Sequence, residues 1–137
     1  MGTLIDSSVL IGVERGALDL DGVLEQHPDN AVGIAAITAS ELLHGVQRAA
    51  TTAQRQRRES FVETILAALP VFPFDLVTAR IHASLSAGLA AKGTNVGTHD
   101  LLIGATAVAV GYRLMTLDGR SFSKIPGLEV LLLQRRP

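Results

Sequence analysis

Met1–Glu14 reads MGTLIDSSVLIGVE, and the order of residue types in it sets the frame for the rest of the chain. Thr3–Asp6 is a short apolar strand that stops at a carboxylate. Ser7 or Ser8 is placed to cap a following helix, which carries Val9, Leu10 and Val13 on its apolar side and ends at Gly16. A carboxylate at the tip of a buried strand is costly unless a cation or hydrogen-bond donors receive it. Asp6 is therefore the first candidate for a site at a sheet edge.

Working outward, strands and helices alternate. Asp21–His27 reads as a short helix broken by Pro28, and Ala31–Ala35 as a small apolar strand suited to the middle of a parallel sheet. Thr38 opens a helix to about Ala49, with Leu42, Leu43 and Val46 on one face. Thr52–Ala68 is the next helix, with Phe61, Ile65 and Leu69 four apart. Val71–Phe74 is a strand that contains Pro73, which places it at an edge. Asp75 caps a helix carrying Val77, Ile81, Leu85 and Leu89, closed by Lys92-Gly93. After the loop Thr94–Thr98, His99-Asp100 begins an almost wholly apolar helix that ends at Gly111 and must be buried between layers. Arg113–Thr116 and Leu128–Leu132 are the last strands, separated by the Asp118-Gly119 turn and the Pro126-Gly127 break.

Such alternation predicts an α/β fold with a mostly parallel sheet. Right-handed crossovers start every helix at the carboxyl edge of that sheet. Asp6 (strand end), Glu41 and Asp100 (first helical turns) and Asp118 (just past a strand) then share the edge where open α/β sheets bind ligands. Singly, each acid has an ordinary structural role open to it. Thr38-x-x-Glu41 has the form of a capping box. Asp100 suits the positive end of a helix dipole, Asp118 precedes a turn glycine, and Asp6 could cap a helix. Together, carboxylates converging without a cation would repel and be forced to protonate. A hard divalent ion such as Mg²⁺ or Mn²⁺ resolves that repulsion and supplies an activated water.

Composition bounds the rest. With 137 residues, 47% of them hydrophobic, the chain is expected to form a single domain, 1–137, with a proper core. Twelve basic against 13 acidic residues exclude a histone-like binder but not a local basic patch. There is no cysteine, so no disulfide framework or thiolate metal site, and no tryptophan to build a base-stacking platform. The chain opens on strand and acid rather than a basic segment before an apolar one, and its longest apolar run, Leu101–Tyr112, is too short for a bilayer. The expectation is a cytoplasmic protein with no membrane partner. His27, His44, His82 and His99 lack metal-ligand spacing. His99, beside Asp100, is the one placed to touch a substrate or tune the site, although a plain helix start also accounts for it.

Arg48, Arg55, Arg57 and Arg58 cluster around the turn and early part of two successive helices, and Arg113, Arg120 and Lys124 flank the Asp118 turn. A solvated face with pairs such as Arg55–Glu59 is one account. A phosphate-contacting rim, with Arg48, Arg55, Arg113 and Arg120 as its candidates, is the other.

Four stretches in order carry a resemblance: LIDSSVLI (4–11), ITASELLHGV (37–46), THDLLIGATAV (98–108) and LMTLDGRSFSKIPGLEV (114–130). They resemble the PIN-domain ribonucleases, most closely the VapC-type toxins of bacterial toxin–antitoxin modules, over essentially the whole chain. The resemblance implies a three-layer α/β/α fold with a five-stranded parallel sheet and Mg²⁺- or Mn²⁺-dependent hydrolysis of RNA phosphodiesters. It places Asp6, Glu41, Asp100 and Asp118 on the acidic metal-site positions, Thr116 on a hydroxyl position two before the last acid, and Ser7 on a hydroxyl position beside the first. It further implies a homodimer and a cognate antitoxin whose tail covers the acids. Ser121 stands where many relatives carry a further acid, which implies a weaker second metal, and His99 where many have asparagine or another small polar residue.

A non-catalytic PIN-fold binding module remains the alternative. An aspartyl-phosphate receiver or phosphatase fits less well: Ser8 sits where the phosphatase needs a second Asp, and Lys92 and Lys124 are the only lysines.

Overall fold

The computed structural model describes residues 1–26 and 31–134. Among them, β1 (Thr3–Ile5), β2 (Val32–Ala35), β3 (Val71–Phe72), β4 (Arg113–Thr116) and β5 (Val130–Leu132) form one sheet in the order β3-β2-β1-β4-β5. Every pairing is parallel. The helices are α1 (Ser7–Glu14), α2 (Leu20–Gln26), α3 (Ala36–Gln47), α4 (Thr52–Ala68), α5 (Leu76–Ala91) and α6 (Thr98–Val110). The chain winds outward from β1 to β3, then crosses back to β4 on the other side of β1. The switch point therefore lies between β1 and β4, and a crevice opens at their carboxyl ends.

Side-chain alternation along the strands divides the core between two layers. On one face Ile5, Ile34 and Met115 pack with α1, α3 and α4 through Val9, Leu10, Leu42, Val46, Val62 and Ile65. On the other, Leu4, Ala35 and Leu114 pack with α5 and α6 through Leu89, Leu101, Ile103 and Ala107. The apolar α6 is buried as its composition requires, and Gly111 ends it in the left-handed region at φ 73°. Gly104 lets the segment after β4 close onto α6. A Cβ there would stand 2.5 Å from Ile125 Cδ1. Phe122 and Ile125 are buried in the same layer and anchor the loop that carries Asp118, through a short 3₁₀ turn (Phe122–Lys124) that the sequence pattern did not reveal.

Several boundaries move. β1 stops at Ile5, so Asp6 is extended backbone at the helix entrance and its side chain makes no cap bond. Ser7 and Ser8 lie inside α1 rather than capping it. α3 starts at Ala36, two residues before Thr38, because Ile37 and Ala39 already pack against the sheet layers. Glu41 is therefore in the second turn and the capping box does not form. β3 ends before Pro73, which cannot donate to the ladder, and it is an edge strand as expected. β5 starts at Val130 rather than Leu128, and α6 one residue earlier than His99. The caps at Asp75 and the span of α4 stand as read, with Asp75 accepting from Thr78 N and Oγ1. α2 runs Leu20–Gln26, and His27 and Pro28 lie outside the described residues. Among the described residues no helix is long and apolar enough to cross a membrane.

Candidate active site

Asp6 lies at the carboxyl end of β1, is 6% exposed, and among the described residues its carboxylate is received by two hydroxyls. Thr116, the last residue of β4, donates from Oγ1 to Asp6 Oδ2 at 2.9 Å, and Ser8 donates from Oγ to the same oxygen at 2.7 Å. Glu41, on α3, stands near Ser7, whose hydroxyl favours its charged form, and its Oε2 lies 3.9 Å from His99 Nδ1. Asp100, in the first turn of α6, stands near Ser121, whose hydroxyl favours its charged form. Gly97 N donates to the same serine at 3.4 Å. The position where relatives were expected to carry a further acid thus holds a hydroxyl beside Asp100 in this chain.

The electrostatics identify the set. Burial pushes the Glu41 carboxyl up, and Asp6 and Asp100 push it further, outweighing His99 and Ser7. Burial likewise pushes Asp100 up, with Asp6 and Asp118 adding to it against Ser121 and His99. Among the described residues no lysine or arginine pairs with Asp6, Glu41 or Asp100. Glu41 Oε1 is buried without any hydrogen-bond partner. A buried, unpartnered carboxylate oxygen facing other carboxylates is the arrangement that a hard cation with retained waters relieves.

Asp118 differs. It is exposed, and Arg120 grips it as a fork, with Nε on Oδ1 and Nη2 on Oδ2, both at 3.1 Å. Those bonds hold its carboxyl below the ordinary range. It borders the other three acids, since its charge is felt by Asp100, but its side chain is turned to Arg120. Among the described residues no three histidine, aspartate or glutamate side chains stand close enough to share one ion directly. That geometry suits Mg²⁺, which is commonly held by one or two carboxylates and several waters.

These shifts fix a pH dependence. A carboxyl raised in the folded protein keeps its proton where the unfolded chain has lost it, so stability falls with rising pH across that interval. Glu41 and Asp100 act this way, above the ordinary carboxylate range of about pH 4. Asp118 and Asp75, held low by Arg120 and by Thr78, add stability as pH rises, but only below that range. In EDTA the wild type is expected to lose melting temperature relative to Glu41→Gln with Asp100→Asn as pH rises above the ordinary carboxylate range of about 4. A wild-type profile that holds or rises against the variant's up to neutrality would refute the crowding.

The proposed cationic rim is rearranged. Beside Ser7, Glu41 and His99 opens a cleft of about 510 Å³ between α1, α3 and α4, and it is lined by Arg48 together with Arg15 and Arg58. Arg58 is committed to Gly45 O at 3.0 Å and lies 3.9 Å from Glu14. Arg15 escaped the sequence analysis because it stands alone at the end of α1, yet the fold turns it into the cleft. Arg55 is spent on Gln47 O and makes no pair with Glu59. Arg113 begins β4, so it sits at the amino edge, opposite the acids, where its Nε donates to Thr3 Oγ1. Arg120 is held by Asp118.

The sheet order and this edge define the class, and residues 3–128 match the family model of the PIN domain. Ribonuclease VapC1 of Rickettsia felis is 35% identical over 136 residues, 99% of both chains, and ribonuclease VapC of Rickettsia bellii is 34% identical over 96% of both. The tRNA(fMet)-specific endonuclease VapC of Salmonella typhimurium is 32% identical over 71% of both. The DNA-bound VapBC structure from Salmonella typhimurium superposes with a TM-score of 0.85 at 25% identity, covering 96% of this chain and 97% of that one. VapBC2 of Rickettsia felis has the same fold, with a TM-score of 0.87 at 22% identity over 98% and 100%. The chain therefore belongs to the PIN-domain VapC ribonucleases, the endonuclease toxins of VapBC toxin–antitoxin systems.

Proposed function

We propose that residues 1–137 act as one PIN domain that hydrolyses RNA phosphodiesters with Mg²⁺ or Mn²⁺ held, directly or through water, by Asp6, Glu41 and Asp100. The observation that carries this is the grouping of buried Asp6 with half-buried Glu41 and Asp100, which no lysine or arginine among the described residues pairs, with Glu41 Oε1 left without a hydrogen-bond partner. Asp118 joins through water or after parting from Arg120. When bound, the metal lowers the pKa of a coordinated water and offsets charge developing on the phosphate. The chain's own part is to position. Ser8 and Thr116 fix the Asp6 carboxylate, Ser121 favours the charged form of Asp100, and Glu41 is placed to orient the attacking water and accept its proton. His99, 63% exposed above Glu41, faces the substrate side. Arg15 and Arg48 in the adjoining cleft contact backbone phosphates and hold the strand across the acids.

Two partners complete the proposal. The VapBC structures from Salmonella typhimurium and Rickettsia felis support a cognate antitoxin, whose tail would cover the acids with an arginine in place of metal. A homodimer is supported by the exposed apolar residues Val71, Leu76 and Val77 around the β3 edge.

The test is cleavage of a labelled total-RNA pool by purified protein with Mg²⁺, with Mn²⁺ and with EDTA. Discrete fragments that vanish in EDTA and return on adding metal are expected, and their ends identify the target. Fragments that persist in EDTA would exclude the metal reading. No cleavage by folded, metal-loaded protein would leave a PIN-fold binding module.

A further inference from the structure

The geometry assigns to Ser8 a positioning role: it orients Asp6 toward the metal and ties the Asp118 loop to it. Two hydroxyls meet the Asp6 carboxylate, and each also accepts a backbone N–H; an ionised carboxylate can only accept, and it is the nearest acceptor to both. Leu117 N donates to Ser8 Oγ at 3.1 Å, and Ser8 Oγ donates to Asp6 Oδ2 at 2.7 Å. Asp118 N donates to Thr116 Oγ1 at 3.1 Å, and Thr116 donates to the same Oδ2 at 2.9 Å. The two hydroxyls lie 3.3 Å apart. The Ser8 bond is the shorter, within the range of charge-assisted O–H···O⁻ bonds. No donor among the described residues reaches Oδ1, so the pair clamps one carboxylate oxygen and leaves the other to the site.

Ser8 does this from a different element than Thr116. It is the second residue of α1, and its reach across to Leu117 joins the entrance of α1 to the chain just past β4. Leu117 and Asp118, consecutive residues, are each pinned by backbone N–H to a hydroxyl that also holds Asp6. The separation between Asp6 and Asp118 is therefore set by two parallel relays rather than by the loop alone. Removing the Ser8 hydroxyl frees Asp6 to rotate about its last torsion, which is broad for aspartate, and leaves Leu117 N without its partner.

This role rests on the metal reading above, and Mn²⁺ binding separates the two. Partners that orient metal-ligating side chains typically carry about 10- to 100-fold in metal affinity. Titration of the wild type, Ser8→Ala and Ser8→Thr with Mn²⁺, followed by the loss of free-ion EPR signal, is expected to show Ser8→Ala binding at least tenfold weaker and Ser8→Thr close to wild type. Cleavage by Ser8→Ala should recover at high Mg²⁺, since the acids themselves remain. Equal Mn²⁺ affinity in wild type and Ser8→Ala, with only the melting temperature lowered, would overturn the role and leave Ser8 as packing. A wild type that binds no Mn²⁺ would instead remove the metal reading, and this role with it. Should Ser8→Ala not fold, Ser8→Cys against Ser8→Thr decides: the weak thiol donor must bind Mn²⁺ less tightly than the hydroxyl, and equal binding overturns the role.

Discussion

Asp6→Asn should fold, bind its antitoxin and cleave no RNA above background. The substitution keeps the shape and removes the charge. Ser8 and Thr116 both donate to Oδ2, so they select the carbonyl oxygen of the asparagine for that position. The amide nitrogen is then turned to where Oδ1 stood, and it presents hydrogens where a cation would sit. Metal-derived stabilisation of a phosphoryl transition state is worth several kcal/mol, and each factor of ten costs about 1.4 kcal/mol. Losing it should lower cleavage by about 10³-fold or more. The fold is under less strain, not more. Asp6 raises both Glu41 and Asp100, so removing its charge relieves two buried repulsions. The metal-free variant should therefore melt at or above the wild-type temperature. Cleavage within tenfold of wild type, measured on the RNA that wild type cuts, would sink the assignment of Asp6.

That prediction could be framed from the first fourteen residues, because a strand that ends in an acid at a sheet's carboxyl edge is legible from residue types alone. The same logic brought Glu41 and Asp100 to the edge, although Glu41 was expected in the first turn of its helix. Its helix begins earlier because Ile37 and Ala39 have core to fill, and burial outweighed the local capping signal. Asp118 was placed at the right end of β4, but its fork with Arg120 depends on loop geometry that no periodicity reports. The rim was the weakest part. Arginine clustering in sequence marked Arg55, which folds back on a carbonyl. Arg113 failed for a different reason: it opens the strand whose far end carries Thr116, so only the strand's direction shows that it faces away from the site. The hydroxyls were hardest to see. Ser7 and Ser8 come from one stretch and Thr116 and Ser121 from another more than a hundred residues on, and a serine in sequence looks the same whether it meets water or a carboxylate.

Replacing Leu76 and Val77 with aspartate should convert a dimer into a monomer without touching the site. Leu76 is 66% and Val77 60% exposed at the start of α5, and Val71 on β3 is 42% exposed beside them. Strand addition at this edge is disfavoured, because β3 is two residues long and Pro73 follows it. A partner would therefore seat on side chains. In a two-fold interface every substitution is felt twice. Burying a leucine or valine contributes about 1.5–3 kcal/mol, so two positions in two copies remove about 6 kcal/mol at the least, or about 10⁴-fold in Kd. Light scattering coupled to size exclusion should show the wild type at twice the 14.4 kDa chain mass and the variant at that mass, with unchanged Mn²⁺ affinity. The carboxylates lie inside one chain, between β1, α3 and α6, so their metal affinity has no need of a second copy. Cleavage should suffer more than binding if the RNA spans both protomers, because each acid cluster would then face half of the path. A variant that stays dimeric would move the interface to another surface, of which the β5 edge with Leu132 is the next most apolar. A wild type that runs as a monomer would remove the dimer altogether and leave the single acid cluster to act alone.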